Sequence, residues 1–156
     1  MAVLGDIISD ALRRRSVVRD AAMLLDEEVA SKGGVSGLAV KAAFALVKKV
    51  KPGIIAETID ALLPEFAAAM DPILARRDEK IGIVAFVLSR EGEVVNALLG
   101  VTDKRAQRTS HKTLLGAYRQ LRPTAEKQVA AGLPRLSRLI EKHHAAMPKP
   151  APAAQA

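Results

Sequence analysis

Ile81-Gly82-Ile83-Val84-Ala85-Phe86-Val87-Leu88 is the stretch on which the fold class of this 156-residue chain turns. An uncharged apolar run of this length fits a buried strand, and Val94 to Val101, beyond the polar Ser89 to Glu93, could pair with it as a hairpin. An isolated hairpin is marginal in water, however, and no other segment offers a third strand. The adopted reading is a buried helix, with a hairpin over 81–101 as the alternative.

Outward from this stretch the apolar spacing is helical. On its N-terminal side, Ile55, Ile59, Leu62, Leu63 and Phe66 keep the helical period across Pro64, and Asp71-Pro72 reads as a cap followed by a first-turn proline. Further upstream, Gly37 to about Lys51 reads as a helix with Ser36 as its cap and Pro52-Gly53 as its stop. Leu38, Val40, Phe44, Leu46, Val47 and Val50 surround nearly all of it, with lysines 41, 48 and 49 on one narrow side, so it is expected to be the central, most buried helix. Val3, Leu4, Ile7, Ile8, Ala11 and Leu12 form one short helical stripe. Val17, Val18, Ala21, Leu24, Leu25 and Val29 form a second, capped by Ser16 and stopped by Gly33-Gly34. Downstream, the chain reads as helical from Asp103, with Ser110 and Thr124 as caps. The tail beyond His144 is rich in proline and alanine and is expected to be disordered. The sequence thus predicts an all-α, compact single-domain bundle of roughly six to eight helices over residues 1–145, followed by a tail over 146–156.

Composition narrows the chemistry. With 49% hydrophobic residues the chain can build a core without staples, and the absence of cysteine removes disulfides, thiolate metal sites and cysteine nucleophiles. Met1 to Leu12 carries Asp6 and Asp10 and does not read as a signal peptide. No apolar run approaches the roughly 18 residues of a membrane span, and a cytoplasmic protein is expected.

The net charge of +7 is unevenly distributed. Residues 1–103 hold 13 Lys or Arg against 15 Asp or Glu, whereas 104–144 hold ten against only Glu126 and Glu141. If residues 105–122 form one helix, Arg105, Arg108, Lys112, Arg119 and Arg122 share a side; Arg135, Arg138 and Lys142 repeat the first three spacings on a following helix. A solvated face accounts for basic residues there but not for their one-sided excess, which is suited to an acidic partner, protein or nucleic acid. Stacking aromatics are nearly missing from the region, Tyr118 being the only one.

Sharper motifs fare less well. Val29-Ala30, Gly34-Val35-Ser36 and Val40 are spaced like a bacterial helix-turn-helix, but Gly37, Leu38 and Ala39 stand where base-reading side chains would be needed, and only Lys41 could serve. A glycine-stopped, serine-capped helical hairpin explains the same residues. As a phosphate cradle, Gly34-Val35-Ser36-Gly37 lacks a preceding strand and a following Lys-Ser/Thr pair. His143 and His144 are adjacent, so on a helix they point about 100° apart and do not form a metal pair. His111 stands alone, Asp26-Glu27-Glu28 reads as a solvated helix end, and Glu57 with Asp60 has no nearby histidine. No catalytic residue, metal or cofactor is expected.

Ser31-Lys32, Ser36-Gly37-Leu38-Ala39-Val40-Lys41-Ala42-Ala43, Lys51-Pro52-Gly53, Leu62-Leu63-Pro64-Glu65-Phe66-Ala67, Ala97-Leu98-Leu99, Val101-Thr102-Asp103, Leu121-Arg122-Pro123, and Leu133-Pro134-Arg135-Leu136 with Ile140-Glu141-Lys142-His143 resemble a family of small uncharacterised bacterial proteins, mainly actinobacterial. The resemblance spans about residues 3 to 144 and is weakest over Ala75 to Gly92. It implies an all-helical domain and carries no activity or site residue with it. The functional expectation is a non-enzymatic binding module working through its basic C-terminal helices, with a DNA-associated protein as the alternative.

Overall fold

The computed structural model describes residues 2–149, and these form an all-α bundle. Its helices are α1 (Val3–Ile8), α2 (Ala11–Ser31), α3 (Gly34–Lys48), α4 (Ile54–Leu74), α5 (Ile83–Ser89), α6 (Glu91–Arg108), α7 (Lys112–Leu121) and α8 (Ala125–Ala145), with a 3-10 turn at Arg122–Thr124 before α8. The tail expectation for 150–156 lies outside the described residues.

The deciding stretch is helical. Ile83, Phe86 and Val87 of α5 follow the i, i+3, i+4 spacing, and all three are buried. Arg90 leaves the helical conformation, the chain turns, and Val94, Val95 and Leu99 of α6 enter the same core. The hairpin alternative over 81–101 is thereby replaced by two helices, and no strand occurs among the described residues. Met70, Ile73 and Leu74 of α4 and Ala125, Leu133 and Ile140 of α8 complete the cluster, with Val3 and Leu4 of α1 packed against it.

α3 is not the central helix. Only Gly37, Val40 and Ala43 of its residues are buried, and neither α3 nor α7 contributes to the main core cluster. Apolar composition measures how much a helix could bury, not how much surface its neighbours offer. Here α4, α5, α6 and α8 close on one another, and α3 packs outside them, chiefly against α7.

Several boundaries also move. α2 begins at Ala11, not beyond Ser16, because Asp10 accepts from Arg13 N at 2.9 Å and caps it. α3 begins at Gly34 with Gly33 at its cap position, so Ser36 lies inside the helix. The glycines of this turn answer to geometry: Gly34 has φ +71°, and a Cβ on Gly37 would stand 2.8 Å from the Lys32 carbonyl carbon. They let α3 fold back tightly on the end of α2, which is the helical-hairpin explanation of the motif.

Pro64 sits inside α4, and its missing N–H leaves the carbonyl of Asp60 without its helical donor. Arg14 Nη2 donates to that carbonyl at 2.7 Å while its Nε donates to Asp60 Oδ1 at 2.6 Å, tying α2 to α4. Asp71 does not cap a helix starting at Pro72, since both residues lie within α4. Its carboxylate accepts from Leu4 N at 2.7 Å and Gly5 N at 2.9 Å, capping α1 from 66 residues away.

Candidate functional site

The proposed basic stripe does not lie on one helix. α6 ends at Arg108, residues 109–111 leave the helix, and His111, not Ser110, caps α7 by accepting from Leu114 N at 3.4 Å. Thr124 occupies the cap position of α8, but its hydroxyl donates to Leu121 O at 3.3 Å instead.

The eight cations of the stripe divide into two groups. Arg108 Nη2 meets Glu65 at 3.2 Å. Arg122 grips Asp103 with two nitrogens, at 2.9 and 3.1 Å. Arg135 bonds to Glu28, and Lys142 Nζ to Asp20 at 2.9 Å. Arg105, Lys112, Arg119 and Arg138 have no carboxylate partner among the described residues. Half of the basic excess is therefore structural: acids from the N-terminal two thirds of the chain meet bases from its end, and the imbalance in sequence is complementarity in space.

The paired carboxylates show this electrostatically. Asp20 is held below its usual range first by the Lys142 hydrogen bond and then, against the opposing effect of burial, by His143, whose Nε2 lies 2.9 Å away. Burial acts most strongly on Glu28 and pushes it up, yet hydrogen bonds from Lys32 and Arg135 outweigh it and the net shift is downward. Asp103 is lowered by Arg122 and then by the Tyr118 hydroxyl, which donates to it. Tyr118 itself is pushed up, first by burial and then by Asp103; its oxygen also lies 2.9 Å from Thr102 Oγ1. This network fastens α7 to α6.

Half-buried Asp20 with buried His143 has the form of an oriented imidazole, but no hydroxyl hydrogen-bonds to that ring among the described residues. Ser137, wholly buried, donates to Pro134 O at 3.0 Å. Glu57 and Asp60 are held by separate cations, Lys51 and Arg14. No group of three or more His, Asp or Glu residues placed to hold a metal ion occurs among the described residues. Two open concavities flank α2. One, about 590 Å³, runs against α4 over Ala11, Val18, Ala22 and Ala56; the other, about 310 Å³, lies against α8 beside Arg138 and Leu139.

A surface that the charge pattern missed lies on α3. Val35, Leu38 and Leu46 are 87%, 68% and 48% exposed, and with exposed Ala42 and Ala45 they form one outward stripe. Lys41 and Lys49 stand beside it, exposed and without an ion partner among the described residues, while Lys48 pairs with Asp26 at 2.7 Å and lies over the Phe44 ring. The available signal was the near-uniform apolarity of this helix, which fits an exposed face as well as a buried one.

The molecule is thus an all-helical bundle. The chain belongs to a family of unknown function, DUF6918, whose model matches residues 4–144. No curated protein and no solved structure matches it. No helix among the described residues is long and apolar enough to cross a membrane.

Proposed function

We propose that the chain is a non-catalytic binding module that takes an acidic partner where the end of α6 meets α7. The carrying observation is the division of the basic stripe. Arg108, Arg122, Arg135 and Lys142 are committed to carboxylates, whereas exposed Arg105, Lys112 and Arg119 are not, and α7 contains no acid of its own. Cations that hold no carboxylate attract polyanions without the loss of an existing pair. A sequence-specific DNA reader is disfavoured, because the exposed face of α3 presents Val35, Leu38, Ala42 and Leu46 rather than hydrogen-bonding side chains.

The test is a salt titration on duplex DNA and on immobilised heparin, comparing the parent with Arg105→Glu/Lys112→Glu/Arg119→Glu. Three phosphate contacts give a slope of about −3 in log affinity against log salt. The triple variant is expected to lose that binding while keeping its helix content. A parent that binds neither polyanion at low salt, or a triple variant that binds as the parent does, would overturn the reading.

A further inference from the structure

We propose that the outer face of α3 docks on an anionic lipid bilayer, with Val35, Leu38 and Leu46 entering the headgroup boundary and Lys41 and Lys49 meeting lipid phosphates. The proposal rests on the reading of the chain as a binder of acidic partners, and it adds to the α6–α7 site a second surface whose partner is a membrane.

The first support is the stripe itself. Positions 35, 38, 42, 45, 46 and 49 fall on one side of α3, opposite buried Val40 and Ala43, and the helix is about 22 Å long, enough to lie along a surface. The large apolar residues exposed there are not needed for the core, which closes through α4, α5, α6 and α8. Scattered exposed apolar residues are ordinary, but three on one face of one helix call for something to cover them.

The second support is charge. α3 contains no Asp or Glu, while Lys41 and Lys49 beside its outer stripe are exposed. An apolar stripe bordered by lysines is the residue pattern of helices that lie in an anionic interface. A second copy of the chain fits poorly, since a symmetric contact would gather the lysines of both copies in one interface with no carboxylate on α3 to offset them.

The experiment is co-sedimentation with vesicles of phosphatidylcholine alone and of phosphatidylcholine with phosphatidylglycerol. The parent is expected to bind the anionic vesicles and not the neutral ones, and to bind less as salt rises. Val35→Gln/Leu38→Gln keeps the charge and should lower vesicle binding about tenfold or more, while leaving elution from heparin unchanged. The chain has no tryptophan, so Leu38→Trp supplies a single reporter whose emission should shift to the blue on anionic vesicles. If the parent ignores anionic vesicles, if the double variant binds them like the parent, or if the emission of the Leu38→Trp variant does not move, the proposal falls. A solution dimer that the double variant splits would overturn it in favour of a second copy. Heparin binding without vesicle binding would sink this proposal alone; binding to neither would sink the polyanion reading as well.

Discussion

α3 and α5 are both apolar on nearly every side, yet they meet opposite fates. α5 is seven residues long and buries Ile83, Phe86 and Val87 in the centre of the bundle. α3 is 15 residues long and leaves Val35, Leu38 and Leu46 in solvent. The difference comes from their neighbours. α5 is enclosed by α8 and adjoins α4 and α6 in one cluster, whereas α3 is backed mainly by α7, a ten-residue helix that covers only its inner side. Hydrophobicity drives burial only where a complementary surface exists, so a helix apolar all round can be either centre or margin.

The largest expected effect tests that contrast with the same substitution in each helix. Phe86 is 5% exposed within the core, so Phe86→Ala should cost about 3–5 kcal/mol in urea unfolding. Phe44, only half-buried and under Lys48, should cost about 1–2 kcal/mol when changed to Ala. Equal costs would mean that α3 is as much a part of the core as α5.

The fold was legible from the sequence where a pattern is local. The lack of a third strand was enough to choose helix over hairpin for Ile81 to Leu88, and Gly33-Gly34 marked the α2–α3 turn. What distant partners decide was not legible. Asp71 has the sequence context of a local cap and instead caps α1, and the basic stripe gave no sign that Arg135 and Lys142 meet acids 107 and 122 residues away. Spacing along one helix reports which side a residue is on, but not what stands opposite.

The carboxylates of those pairs, together with Asp103, give the middle-sized prediction, one that separates the charged contacts between helices from the apolar α3 margin. Asp20, Glu28 and Asp103 all have carboxyl groups held below their ordinary values of 3.8, 4.5 and 3.8. A carboxylate with a lowered folded pKa stabilises the fold above its unfolded pKa, and this stabilisation disappears as pH falls through the folded value. Stability from these groups should therefore be full at neutral pH and be lost progressively below about pH 4. Asp20→Asn should lower stability at pH 7 and make the acid limb shallower. An unchanged acid limb would show that the pairs with Lys142 and His143 do not hold α2 to α8 in solution.

The smallest expected effect is on that margin. Val35→Gln/Leu38→Gln removes two large apolar side chains, a change that within a core would cost several kcal/mol. Here both residues are more than two-thirds exposed, and the folded state buries little of their surface. Glutamine is at least as good a helix former as valine and close to leucine, so propensity gives no penalty. The urea midpoint should then shift by less than about 0.5 kcal/mol in free energy, in either direction. A larger loss would place these residues inside a packed interface, and the contrast between α3 and α5 would shrink to one of degree. A shift within that bound, together with a loss of vesicle binding, would mean that the apolar side chains on this face serve a contact outside the chain, since they contribute almost nothing to its own fold.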